Sequence, residues 1–125
     1  MLERSDSYAD LVRRFQWRLP ERFNIGVAVS DAWASREPKR TALIEYRGDD
    51  SPLHLSFGEL AQQSNAFANA LKAKGVGRGD RVALLLPQCF ETAIAHVAIY
   101  KLGAIAVPLA LLFRVEALEY RLQTA

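Results

Sequence analysis

The sequence predicts an α/β fold, and three stretches carry the prediction. Residues 81–86, Arg-Val-Ala-Leu-Leu-Leu, run without polar alternation, which is how a strand covered on both faces by helices in a parallel sheet reads. Residues 104–109, Ala-Ile-Ala-Val-Pro-Leu, have the same character, and a helical segment over about 90–102 separates the two. Strand, helix and strand at this spacing form a βαβ unit, whose crossover is expected to be right-handed. The third stretch, Thr-Ala-Leu-Ile-Glu-Tyr-Arg-Gly-Asp-Asp-Ser-Pro-Leu-His-Leu-Ser at 41–56, places two short extended runs around a Gly-Asp-Asp-Ser-Pro turn, the pattern of an antiparallel hairpin. Together these give a partial Rossmann-like parallel sheet flanked by helices, with a hairpin beside it.

The remaining elements follow in order. Residues 1–22 show an amphipathic rhythm (Tyr8, Leu11, Val12, Phe15) and read as a surface helix or an arm. Glu3, Asp6 and Asp10 argue against a transit peptide, and no apolar stretch of secretory type occurs. Next, Ile25, Val29, Ala32 and Trp33 fall at helical spacing until Pro38, so one helix is expected there, with Trp33 as a core anchor. Residues 57–74 carry helix signals at both ends. Ser56 with Glu59 is a capping box, and Leu55 with Leu60 suits the hydrophobic staple. Phe57, Leu60, Ala61, Ser64, Phe67, Ala68 and Leu71 make one inward stripe. Lys72 and Lys74 suit the negative pole of the dipole, and Gly75 falls where a left-handed cap is needed, with Val76 placed to touch Leu71. The helix over 90–102 turns Ala93, Ile94, Val97 and Ala98 inward and is capped by Gly103. A last amphipathic helix spans about 115–122, after which a third parallel strand is expected.

The Gly-Val-Gly-Arg-Gly-Asp run at 75–80 raises the question of a phosphate loop. Such a loop follows a strand and opens a helix, whose amides then face the anion. Here the order is reversed, and the last glycine of G-x-G-x-x-G is replaced by Asp80. The run therefore reads as a helix cap followed by a turn. Arg78 and Arg81 are left with only a weak, salt-screened attraction for phosphate.

Composition narrows the classes further. At 125 residues, half of them hydrophobic, the chain holds one core and not two. A net charge of +2 with interspersed signs gives no basic stripe, which argues against nucleic acid as a partner. The lone Cys89 allows no internal disulfide and fits a reducing, cytoplasmic compartment. His54 and His96 have no ligand spacing and read as ordinary surface or core histidines. The apolar stretch at 93–113 is divided by Lys101, Gly103 and Pro108, so it reads as a helix joined to a strand and not as a membrane span.

Several phrases in sequence resemble one family: "FNIGVAVSDAWA", "LSFGELAQQSNAFANALKAKGVGRGDRVALLLPQCFETAIAHVAIYKLGAIAVPL" and "LEYRL". They are similar to the N-terminal region of the AMP-forming acyl-CoA synthetases, in the adenylate-forming superfamily, from about residue 23 to residue 125. The opening "FNIG" and the tryptophan of "AWA" look most like the medium-chain and aromatic acyl-CoA branch. The resemblance implies that the full-length parent is a ligase using ATP, Mg²⁺ and coenzyme A: a carboxylate attacks the α-phosphate of ATP, and the acyl-adenylate is then captured by the thiol. It also implies that the Ser/Thr/Gly-rich phosphate loop, the acidic metal residue and the catalytic lysine lie outside this stretch. Residues 23–125 are thus expected to be the first part of the N-terminal domain, with no catalytic, cofactor-binding or metal-binding residue and no activity by themselves.

Open α/β sheets bind ligands beyond the carboxyl ends of their strands, which singles out Pro87 and Gln88 after the first strand and Pro108 and Leu109 after the second as substrate-binding candidates. A free-standing small Rossmann-like binding module, or an interaction protein lending its open sheet edge, is the alternative. The binding module is weakened because neither helix that follows an extended strand opens with a glycine-rich loop.

Overall fold

The computed structural model describes residues 4–17, 20–48 and 51–125. In chain order the elements are α1 (Tyr8–Arg14), α2 (Ile25–Val29), α3 (Asp31–Ala34), β1 (Thr41–Glu45), β2 (Leu53–Ser56), α4 (Phe57–Ala73), β3 (Arg81–Leu84), α5 (Phe90–Leu102), β4 (Ile105–Pro108) and α6 (Val115–Thr124). β1 and β2 pair antiparallel with Leu43 opposite Leu55 and a register shift between Thr41 and Leu43. β3 and β4 pair parallel, from Arg81 opposite Ile105 to Leu84 opposite Pro108. This is the expected mixed α/β architecture. Part of the expected hairpin turn, at 49–50, lies outside the described residues.

α5 organises the core because it is apolar on nearly every side, and a helix of that kind has to be enclosed. Its Ile94 and Val97 join Leu55 and Leu60 beneath the hairpin. On its other side Ala95 and Ile99 join Leu84 and Ala104 of the parallel unit. Ala98 and Ile99 are fully buried. The two clusters therefore share one helix.

α4 has the ends its sequence specifies. The Ser56 hydroxyl accepts from Glu59 N, and the Glu59 carboxylate accepts from Ser56 N at 2.8 Å, closing the capping box. Leu55 and Leu60 of the expected staple share a core cluster. At the other end Val76 N donates to Leu71 O and Gly75 N to Lys72 O, with Gly75 at φ +90°, which is the Schellman arrangement. α5 ends with the same pair of bonds, from Ala104 N to Ile99 O and from Gly103 N to Tyr100 O. Gly77 N–H is taken by the Asp80 carboxylate at 2.8 Å, so the glycine run is a closed turn.

Four expectations need correction. The single helix before Pro38 is broken at Ser30 (φ −128°, ψ −72°) into α2 and α3. Ile25 and Val29 point outward, and Gly26 and Ser30 are the buried pair. The reason is a close approach: a Cβ on Gly26 would lie 2.7 Å from Lys101 N and 2.8 Å from Val97 O, so only glycine lets α2 sit on α5. Trp33 is half-buried, stacked on Phe57 at 5.4 Å with the Arg40 guanidinium over its ring, so it is a rim contact more than a core anchor. Phe67 is exposed although the rest of its stripe faces inward or is half-buried.

The fourth correction concerns the parallel strands. Neither is buried on both faces: Arg81 and Ala83 are exposed while Leu84 is buried, and Ile105 is half exposed. Leu85 and Leu86, expected in the strand, lie beyond it and are exposed. Val82, Leu84 and Ala106 pack into the cluster around α5, whereas Ala83 and Ile105 on the opposite face are exposed. The accessible surface totals 9908 Å². A self-contained monomer of 14.0 kDa exposes roughly 6,700 Å².

Candidate functional site

A cleft of about 560 Å³ opens at the carboxyl ends of β3 and β4, between the parallel unit and the hairpin. Gln88, Pro108 and Leu109 line it, together with Leu84 and Leu86 from the β3 side. Pro87 does not: its carbonyl accepts the Thr92 hydroxyl at 2.6 Å, tying the loop to the first turn of α5. Gln88 and Pro108 are exposed, whereas Leu109 is buried, its N–H donating to Leu84 O at 2.8 Å. Three of the four sequence candidates thus share one cavity wall.

The opposite wall comes from β1, and it holds the residue that sequence reading did not select. Glu45 is buried. One of its oxygens accepts Phe90 N–H at 2.9 Å, and the other is paired with Arg47. The bond from Arg47, then that from Phe90, hold the Glu45 carboxyl below its ordinary value against the opposing effect of burial. Cys89, at the N-cap of α5, makes no side-chain capping bond, so Glu45 supplies the cap from a different element. Its charge suggests an outward position although alternation puts Glu45 on the same face as Leu43, and no local pattern signals a partner 45 residues away.

Further along α5, His96 contacts Thr92 O through Nδ1 at 2.8 Å. A carbonyl only accepts, so Nδ1 carries the proton. Cys89 Sγ lies 3.6 Å from Thr92 Oγ1. The hydroxyl that anchors Pro87 therefore also orders the thiol.

A second polar cluster lies away from the cleft, on the face of α5 covered by α2, α3 and α4. The Lys101 side chain is 7% exposed, and its Nζ donates to Asp31 Oδ2 at 2.6 Å, Asn65 Oδ1 at 2.8 Å and Ser64 Oγ at 2.9 Å. Asn65 Nδ2 in turn donates to Asp31 Oδ1, and Asn24 Nδ2 to Lys101 O. Partial burial opposes ionisation of Asp31, but the bonds from Lys101, Ser30 and Asn65 outweigh it and hold the carboxyl below its ordinary value. This network fastens four helices, and its donors and acceptors are committed to one another.

Known proteins place these features in a family. The model of the AMP-binding enzyme family matches residues 30–125, and the chain belongs to that family. Human mitochondrial acyl-coenzyme A synthetase ACSM3 is 32% identical over 125 residues, covering 95% of this chain and 21% of its own length. Acetyl-coenzyme A synthetase from Coprinopsis cinerea is 36% identical over 95 residues, 74% of this chain and 14% of the relative. Among solved structures, CmiS6 superposes with a TM-score of 0.72 at 26% identity over 89% of this chain and 27% of its own. NpsA from Klebsiella oxytoca, in complex with 3-hydroxyanthranilyl-AMSN, gives 0.70 at 28% over 83% and 20%. The chain spans about a fifth of the length of the acyl-CoA synthetases it matches.

Two features of the described residues bear on the nucleotide and metal that such a family implies. Among them no group of three or more His, Cys, Asp or Glu side chains converges. The one glycine-rich turn follows the C-terminal end of α4, where the dipole repels anions, and its Gly77 amide is taken by Asp80. No ATP or Mg²⁺ contact is assigned to this chain. No described helix is long and apolar enough to cross a membrane.

Proposed function

We propose that residues 23–125 form the opening part of the large N-terminal domain of an AMP-forming acyl-CoA synthetase, with residues 1–22 as an arm. The observation that carries this is similarity along nearly the whole chain to acyl-CoA synthetases about five times longer. The surface, roughly 3,200 Å² larger than that of a self-contained monomer, and the uncovered face of β3 and β4 support it, because a parallel sheet normally has both faces covered. In this reading the whole enzyme joins a carboxylic acid to coenzyme A through an acyl-adenylate, with ATP and Mg²⁺. A medium-chain fatty or aromatic acid is the favoured substrate, from the branch its opening motif resembles. The chain by itself is a scaffold that supplies one wall of a ligand cleft, at Gln88, Pro108 and Leu109, with Pro87 anchoring the loop behind it through the Thr92 hydroxyl. A cytoplasmic location rests on the lone cysteine, although some relatives are named as mitochondrial.

The test is carboxylate-dependent exchange of pyrophosphate into ATP, run on the purified chain with aliphatic and aromatic acids. No exchange is expected. Robust exchange would overturn the scaffold reading. Reading the coding sequence downstream separates the alternatives: a frame continuing into a Thr-Ser-Gly-Thr-Thr-Gly-like loop supports the synthetase, and a stop codon favours a free-standing binding or interaction module.

A further inference from the structure

We infer that the cavity between residues 21–24 and Arg78, where the parallel strands begin, binds a small soluble phosphomonoester whose ester group is flat and apolar. This cavity lies at the opposite end of β3 and β4 from the cleft described above, so it is independent of the synthetase reading.

Two segments distant in sequence are held there against one end of α5. Asn24 Nδ2 donates to Lys101 O at 2.9 Å and its Oδ1 accepts from Val27 N at 3.1 Å, which fixes residues 21–24 beside the last turn of the helix. On the other side Gly79 N donates to Gly103 O at 3.0 Å, and Arg78 packs its stem on Gly103, with Cγ 3.4 Å from the place a Cβ would take. The space between them is about 600 Å³, lined by Glu21, Arg22, Phe23, Asn24 and Arg78. A volume of that size suits a small molecule.

The lining selects the chemistry. Ion pairs among the described residues engage Arg13, Arg14, Arg40, Arg47 and Lys101, which leaves Arg22 and Arg78 without an acidic partner there. Each guanidinium is a planar fork of N–H donors that matches a phosphate group. Two arginines and one glutamate give the lining a formal charge of +1. The negative pole of α5 subtracts about half a charge, and the sum stays positive. Carbonyls at that pole do not compete for the guanidiniums, because Lys101 O and Gly103 O are already bonded to Asn24 and Gly79. A doubly charged phosphate can engage both arginines, whereas a carboxylate carries charge for one. Phe23, 68% exposed, has an open ring face for a flat group on the ester.

Phenyl phosphate, methyl phosphate and benzoate test this on the isotopically labelled chain. Amide and arginine Nε–H shifts are followed at constant ionic strength and about pH 7.5, where the esters are close to doubly charged. Phenyl phosphate is expected to shift Arg22, Phe23 and Arg78, binding about twofold to tenfold tighter than methyl phosphate, the span one aromatic contact supplies. Benzoate should be the weakest of the three. Arg22→Gln should weaken phenyl phosphate about tenfold, and Glu21→Gln should tighten it, an opposed pair of changes that loss of structure does not produce. Equal shifts at Arg81 and Arg114 would mean a general attraction of arginines for anions and would overturn the inference. So would silence at Arg22 and Arg78, methyl phosphate or benzoate binding as tightly as phenyl phosphate, or unchanged binding by Arg22→Gln. The comparison of probes on the unsubstituted chain decides even if a variant fails to fold.

Discussion

The carboxylate of Glu45 in β1 accepts the backbone N–H of Phe90 at the start of α5, across 45 residues of sequence, at 2.9 Å. The hairpin thereby caps the helix that carries both core clusters. Replacing Glu45 by Ala strands the Phe90 amide in a half-buried position and frees Arg47 from its partner. A lower Tm and faster hydrogen exchange localised to Phe90–Thr92 are expected. Unchanged exchange there would mean that the cap contributes nothing.

Gly75 and Gly26 are expected to respond differently to alanine. At Gly75 the φ of +90° strains any side chain, yet nothing lies within 4 Å of the added carbon, so Gly75→Ala should cost about 1 kcal/mol. At Gly26 the added carbon meets α5 backbone at 2.7 Å, which α2 can escape only by moving away. Gly26→Ala should cost more, about 1–3 kcal/mol of overpacking. Denaturant unfolding of the two variants gives the order.

The Lys101 and Asp31 pair should prove asymmetric. Asp31→Ala leaves an ammonium group that is 7% exposed without its counter-charge, at a cost of about 2 kcal/mol, below that of a fully buried pair because Asp31 keeps 34% exposure. Lys101→Met retains the apolar stem, and the remaining carboxylate can turn to water, so about 1 kcal/mol is expected. Equal losses in a double-mutant cycle would contradict this.

Stability should fall in acid. Asp31, Glu45, Glu59 and Glu91 all titrate below their ordinary values of 3.8 for Asp and 4.5 for Glu. A depressed carboxyl contributes stability that is fully present above the unfolded pKa and is lost as pH falls through the folded pKa. The decline should therefore begin near pH 4.5 and steepen below it. Melting curves between pH 7 and pH 3 follow it, and Glu59→Gln should flatten part of the slope by removing the capping-box carboxylate.

What the sequence made legible was local. Ser56, Glu59 and Gly75 act within four or five residues of their partners, so spacing alone located both ends of α4. The βαβ unit followed from unbroken apolar runs, and the cleft's Gln88, Pro108 and Leu109 followed from where such strands end. What escaped was set by distant partners. Gly26 faces inward only because α5 passes within touching distance, and Lys101 is buried only because Asp31, Ser64 and Asn65 surround it. Periodicity judged Ile25 and Val29 by their hydrophobicity, whereas close backbone packing favoured the small residues between them.

The two tethers of α5 also set a timetable. Asn24 waits for the carbonyl of Lys101, 77 residues later, and Glu45 waits for Phe90. On a ribosome adding about 5–20 residues per second, the α2 segment exists for roughly 4–15 s before the backbone it docks against has been made. Through that interval Gly26 and Ser30 have no α5 to cover them, and the short α2 and α3 are too brief to hold helical structure unaided. Nascent chains arrested just before and just after Lys101 leaves the exit tunnel should therefore differ sharply in resistance to protease, with the change falling at α5 and not at the hairpin.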